Sequence, residues 1–436
     1  MHIRLSKLFN IIEKQWRISA LLKVASKRFY LLITLFVSTS SLAQQPQLQQ
    51  SLTLQQAIVK SLQQHPDLKV YSYQSEAAQG AIKQAGVGSP MSLNVKVEDV
   101  LSSGEYSEFS SMQTSISIAW LLEGDRINAK VNYAKQQATV TELNKQSKAL
   151  DVAADTAKLY ITLLAQNEQL KLAKIALKQS QDAFRQVEQR VIAGKSLLVD
   201  KLRAKASVAK KELVVEDLNH EIEASRASLA AQWQGDSNFT VTGSLGDIPS
   251  LTTVDNAYNK LKNHPKFKQL AAQKRISESA IAVAKANENP AWQFSAGVKH
   301  DELSGDASLT AGVSIPFGGE NRNLGQIIEL QAKQGGKQAE LDAWYKNIST
   351  ELLLTTHKLK HNRHVIEGLG EEIIPALEGA NSSAEDAYRV GRYSYSEWYN
   401  VQQELIDAQF ELIDAYSNVH YLNIELERLT GTATNL

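Results

Sequence analysis

Three histidines recur within HKLKHNRH as His357, His361 and His364. Spacings of four and three put them on one face of a helix, where neutral imidazoles can hold a transition metal. The adjoining Lys358, Lys360 and Arg363 argue against a cation there, and a plain polar helix face accommodates the same residues. Carboxylates abound, but pairing them by sequence alone would be arbitrary. HExxH, the phosphate-binding glycine loop, GxSxG and the dinucleotide fingerprint are all missing. Cysteine is absent, which excludes disulfides, thiolate metal sites, a Cys nucleophile and a lipid-bearing Cys. The residues therefore point away from an enzyme and from any cofactor.

Lys+Arg and Asp+Glu both number 47, but the balance is uneven along the chain. Residues 1–43 hold seven basic residues and one acid, and the remainder carries a net charge of −6. No large basic field is left for a nucleic acid partner. An apolar run of ten at 29–38 follows the basic stretch, and Ser41-Leu42-Ala43 supplies small residues before Gln44. This is the pattern of a secretory signal peptide over 1–43. Elsewhere no apolar run approaches the ~20 residues that a transmembrane helix requires.

The remainder reads as two halves. LQQHPDLKV at 62–70 answers LKNHPKFKQ at 261–269, and Pro90 before a strand answers Pro290. Gly194 in QRVIAGKSLLVDKL answers Gly391 in AYRVGRYSYSEWYN, and Gly235 answers Gly431. The offsets are 199, 200, 197 and 196. An internal two-fold repeat is therefore expected, 44–234 and 254–436, joined by a linker at 235–253. Each half predicts helix, hairpin, long helix, tight turn, long helix. The long helices fall at about 123–191, 196–234, 320–390 and 395–430. Residues 125–191 contain no proline or glycine, and a helix of that length measures roughly 100 Å. Mixed three- and four-residue apolar spacing (150, 153, 157, 160, 164, then 170, 173, 177, 184, 187 and 191) is a coiled-coil seam. An ordinary soluble helical rod would satisfy the helices taken alone.

Four segments alternate with period two: about 92–101, 110–121, 292–300 and 307–316. Met112, Thr114, Ile116, Ile118 and Trp120 share one face of the second, with Gln113, Ser115 and Ser117 on the other. Leu309, Ala311, Val313 and Ile315 oppose Ser308, Thr310, Gly312 and Ser314 in the fourth. The pairs form hairpins across 102–110 and 301–307. Strands of ~9–11 residues suffice to cross a bilayer when tilted. A sheet in lipid must close, because each unpaired backbone group costs several kcal/mol. Four strands cannot close a barrel, so copies must join, and three would give twelve strands. Trp120 and Trp292 stand at strand ends, where aromatic girdles lie. A soluble sheet with one face on a helix layer shows the same alternation.

The two His-Pro helices, GVGSPMSLNVKVED at 86–99, SIPFGGENRNLGQI at 314–327 and RVGRYSYSEWYNVQQELIDAQ at 389–409 resemble the TolC-like outer-membrane factor family. Asn321-Arg322-Asn323 points to its heavy-metal, cobalt–zinc–cadmium (CzcC-like) branch. The resemblance implies an α+β membrane protein: a homotrimer with a twelve-stranded β-barrel in the outer membrane of a Gram-negative bacterium, continued by a long α-helical coiled-coil tunnel in the periplasm. It also implies a periplasmic adaptor (membrane fusion protein) and, through it, an inner-membrane pump of the resistance–nodulation–division (RND) type.

The same resemblance makes the turns Ile192–Leu197 and Val390–Ser396 the periplasmic tips that meet the adaptor, through Gly194, Lys195, Ser196, Gly391, Arg392 and Tyr393. It makes Asp200 and Glu397 acids of a periplasmic gate, six in a trimer, although ordinary solvated helix surface accounts for them equally. The expected function is passive export of heavy-metal cations. A similar conduit for drugs, organic compounds or secreted protein, and a soluble periplasmic coiled-coil scaffold, remain as alternatives.

Overall fold

The computed structural model describes residues 50–100, 111–249, 254–317 and 321–432. The expected leader at 1–43, the connection at 102–110 and the end of the linker at 250–253 lie outside the described residues.

The chain opens with β1 (Gln50–Leu52) and α1 (Leu54–Gln64). Thr53 starts α1 through a capping box: its hydroxyl accepts from the Gln56 N–H at 3.3 Å, and the Gln56 side chain accepts from the Thr53 N–H at 3.0 Å. Next come α2 (Pro66–Ala85), β2 (Ser92–Glu98), β3 (Gln113–Leu122) and α3 (Gly124–Ile192), a helix of 69 residues. Leu150, Ala153, Ala157, Tyr160 and Leu164 of its seam are buried, as are Ala173 and Val187, whereas Ala176 and Ala183 are buried in place of the expected Leu177 and Phe184, which lie half-buried beside them. Alanine and serine at the buried positions let α4 (Leu198–Ala231) pack closely along α3, with Ser180 donating to Ser207 at 3.0 Å.

The segment expected to be a plain linker contains a strand, β4 (Phe239–Val241), which pairs in parallel with β1. The two are fastened to α3 by Tyr160. Its hydroxyl donates to the Leu52 carbonyl at 2.8 Å and accepts from the Thr242 N–H at 3.0 Å. Phe239, Trp233, Leu229 and Ile424 close the core around it. Three residues of ladder carry too little periodicity to be read from sequence.

The second half runs α5 (Val254–Leu261), α6 (Pro265–Glu288), β5 (Trp292–Asp301), β6 (Ala307–Ser314) and α7 (Leu324–Glu367). His65 and His264 begin α2 and α6 in the same way. Each Nδ1 accepts the N–H two residues on, at 3.1 and 3.0 Å, and a proline fills the first helical position. The helix expected from 320 to 390 is not continuous. A π-helical turn at Gly368–Ile373 separates α7 from α8 (Ile374–Arg389). Pro375 lacks an N–H and its ring crowds the preceding turn, and Gly368 and Gly370 weaken α-helical preference, so the backbone widens and Ile374 bonds back to Leu369.

The last helix, α9 (Tyr395–Thr430), ends on Gly431 in the left-handed conformation. It is tied to α3 by charge. Arg428 reaches Asp151 at 3.4 Å and Glu425 at 2.5 Å, and Lys158 reaches Glu425 at 2.8 Å. Burial raises the Glu425 carboxyl, but these cationic partners outweigh it and hold it below the usual range.

Candidate functional site

Four strands form one antiparallel sheet in the order β2-β3-β5-β6, so the central pair β3–β5 joins the first hairpin to the second. The register places residues of like kind in rows. Val95, Ile116, Val298 and Leu309 lie side by side across all four strands, and Leu93, Ile118, Ala296 and Ala311 form the next row. These side chains are not tucked under the chain's own helices: Val95 is 63%, Ile116 51%, Val298 49% and Leu309 89% exposed. A contiguous uncovered apolar surface of this kind marks a site of membrane or protein contact. The opposite face carries Ser, Thr, Asn, Gly and four charges. Gly297 is required there, because a Cβ would lie 2.4 Å from the Ile116 carbonyl oxygen. No described helix is long and apolar enough to cross a membrane.

At the helix end of the sheet the apolar face becomes aromatic. Trp120 stacks on Phe294 at 6.0 Å, and Trp292 adjoins Phe294 at 6.4 Å. The helix–sheet junction is fastened by Arg126 and Glu123, which no sequence signal marked, and by Asn321 and Asn323 of the Asn321-Arg322-Asn323 element. Arg126, at the start of α3, donates to the carbonyls of Ala286, Asn287 and Asn289, which the end of α6 leaves without helical partners. Asn323 donates to the Ala284 carbonyl at 2.8 Å, and Asn321 takes the left-handed backbone (φ 67°) before α7. The Glu123 carboxylate accepts from the Ser89 N–H at 2.9 Å, and that bond holds the carboxyl below its ordinary range.

At the other end of the long helices the chain reverses twice. Gly194 (φ 68°) and Gly391 (φ 82°) are left-handed, a region costly for other residues. The Lys195 N–H bonds the Arg190 carbonyl at 2.7 Å, and the Arg392 N–H bonds that of Ala387 at 2.8 Å. Ser196 accepts from Arg190 Nε at 3.4 Å, and Tyr393 is exposed beside Val390. The two reversals meet. Arg190 Nη1 donates to the Arg389 carbonyl at 3.0 Å, its guanidinium lies 4.8 Å from the Tyr388 ring centre, and Arg203 donates to Ser396. Behind them Tyr388, Tyr395 and Trp398 pack with Val187 and Ala204. Burial pushes the Tyr395 hydroxyl up to about 12. Arg190 sits in an ordinary charged helix stretch, so no sequence signal marked it.

Asp200 and Glu397 each fall at the third position of a helix. The Glu397 carboxylate accepts from the Ser394 N–H at 2.8 Å, while the Ser394 hydroxyl accepts from the Glu397 N–H at 3.2 Å. These bonds hold the Glu397 carboxyl below its usual range. Asp200 returns to the Leu197 N–H at a longer 3.4 Å. His357, His361 and His364 are all exposed on α7, and His364 faces Glu367 at 3.3 Å. Among the described residues, no three His, Asp or Glu side chains converge closely enough to hold a metal ion.

Comparison with known proteins agrees with this geometry. Residues 57–233 match the family model described as outer membrane efflux protein. The chain is 24% identical over 386 residues to the cobalt-zinc-cadmium resistance protein CzcC of Cupriavidus metallidurans, covering 87% of this chain and 90% of that one. A solved structure of CusC, described in connection with transmembrane channel formation, superposes with a TM-score of 0.72 at 15% identity, covering 86% of this chain and 91% of CusC. The outer membrane protein VceC of Vibrio cholerae gives 0.71 at 18% identity, with 87% and 96% covered. Residues 57–233 thus resemble the outer membrane efflux protein family, and the chain shares the fold of CusC and VceC along most of its length.

Proposed function

We propose that this chain is the outer-membrane channel subunit of a tripartite efflux system, a passive conduit rather than an enzyme, and that its cargo is heavy-metal cations. One observation carries the channel reading: a four-stranded sheet with a bare apolar face and two outer strands, β2 and β6, that pair with nothing further among the described residues. In lipid such edges must be paired. Three copies joined β6 to β2 make a twelve-stranded barrel, with the hairpin ends outward and the long helices in the periplasm. Trp120 and Trp292 then sit at the inner lipid boundary. The matching His-Pro starts and left-handed glycines support an internal duplication that supplies the two hairpins. The likeness to a cobalt-zinc-cadmium resistance protein supports the cargo.

The reversals at Gly194-Lys195-Ser196 and Gly391-Arg392-Tyr393 serve as the tips that meet a periplasmic adaptor, and an RND-type pump engages through that adaptor. Ile192, Leu197 and Leu198 stand exposed there and offer apolar contact. Asp200 and Glu397 lie next to the aperture and act as its acidic gate while also starting their helices.

Extraction of the outer membrane should yield a heat-modifiable trimer that conducts ions in planar bilayers. Replacing Glu397 and Asp200 together by alanine should raise single-channel conductance and weaken block by divalent cations. Recovery of monomer in the soluble periplasmic fraction would overturn the reading in favour of a scaffold.

A further inference from the structure

On the polar face of the sheet, charge is confined to two adjacent rows at the hairpin end. One row reads Lys96, Ser115, Lys299, Ser308, and the next reads Glu98, Gln113, Asp301. Every deeper row is neutral: Asn94, Ser117, Gly297, Thr310, then Ser92, Ala119, Ser295, Gly312. Lys96 pairs with Glu98. Asp301 accepts from Gln113 at 3.3 Å and from the N–H groups of Leu303 and Ser304 at 2.9 and 3.2 Å. Both acids are thus fixed at known heights.

We propose that these four residues form a two-tier charge collar that sets ion selectivity and current direction at the outer end of the conduit. The proposal rests on the barrel reading above, which turns the polar face inward. Three copies then bring six lysines to one level and six carboxylates to the level beyond it. The levels are two residues apart, about 7 Å along the strand. That is within the ~8 Å screening length at physiological salt, so the two tiers act on a permeating ion together, as one oriented double layer of charge. A cation moving outward leaves a neutral Ser/Thr/Asn-lined passage, meets the lysine tier, then the carboxylate tier. One approaching from outside meets the attractive tier first and the lysines second, the reverse order. The collar has no net charge, yet its direction is fixed, so it rectifies.

The experiment is planar-bilayer recording of the purified full chain in a potassium chloride gradient, with trimers verified by gel. Lys96→Gln with Lys299→Gln leaves six uncompensated carboxylates and should raise the potassium-to-chloride permeability ratio about two-fold or more. Glu98→Gln alone should lower the ratio and change the asymmetry of the current–voltage curve in the opposite sense. Conducting trimers of both variants with the unaltered ratio and curve would overturn the collar while leaving the channel intact. Absence of any conductance from the unaltered trimer would overturn the channel reading itself, and the collar with it.

Discussion

The guanidinium of Arg190 donates to the backbone carbonyl of Arg389 at 3.0 Å, so the helix end before the first reversal is fastened to the helix end before the second. The same group covers the Tyr388 ring and bonds Ser196. This side chain, with the Arg203–Ser396 bond and the aromatic cluster behind it, sets the spacing of the two tips.

Arg190→Ala should loosen this junction. A hydrogen bond from a charged donor is worth roughly 1.5–3 kcal/mol, less where solvent competes, so about 1–2 kcal/mol of stability should be lost. Thermal dissociation on gels should report the loss, and bilayer recordings should show noisier, larger openings. Arg190→Lys should not rescue, because an ammonium cannot bond Ser196 and the Arg389 carbonyl while lying flat on the ring.

The two helices that leave the tips start with unequal strength. Ser394 and Glu397 cap each other at 2.8 and 3.2 Å, whereas Asp200 has only the 3.4 Å bond to the Leu197 N–H, with no hydroxyl at Leu197 to answer it. Ser394→Ala should cost about 1 kcal/mol. Adding Glu397→Ala to it should cost less than the sum of the single changes, since both belong to one box. Amide exchange across 395–399 is the readout.

How legible these parts were follows from their chemistry. Period-two alternation is a strong signal, and the alternating residues lie in the strands Ser92–Glu98, Gln113–Leu122, Trp292–Asp301 and Ala307–Ser314. The seam of α3 and the glycines of both reversals were visible for similar reasons: packing and positive φ restrict residue type narrowly. Arg126 and Arg190 were invisible because they bond backbone carbonyls contributed by distant segments, which any sequence can supply, and Asn323 stood out only as part of Asn321-Arg322-Asn323, not for its bond to the Ala284 carbonyl. The π-helical turn lay beneath an otherwise helical pattern. The histidine triplet had the right spacing, but spacing on one helix does not bring a fourth ligand or remove solvent.

Acid should weaken the join between α6 and α9. His264 accepts the Lys266 N–H on Nδ1 and so carries its proton on Nε2, which donates to the Arg428 carbonyl at 3.1 Å. Burial, with Arg428 and Lys266 nearby, outweighs the Arg428 carbonyl bond and Asp151 and lowers its pKa below the ordinary 6.5. The folded form is the worse proton binder, so its contribution is present above pH ~6.5 and lost as pH falls below that value. Melting temperature of the purified protein should decline from pH 7.5 toward 5.5, and less steeply in His264→Gln.

The most direct measurement joins the sheet's two outer strands. The chain has no cysteine, so introduced pairs report alone. Within one sheet, β2 and β6 stand three strand spacings apart, about 14 Å, while a disulfide needs Cα atoms within about 7 Å. With one cysteine stepped along 92–98 and another along 307–314, oxidation of outer membranes should yield covalent dimers and trimers at matching heights. Oxidation that yields only cross-linked monomer, or no bond at any height, would contradict closure of the ring by neighbouring copies.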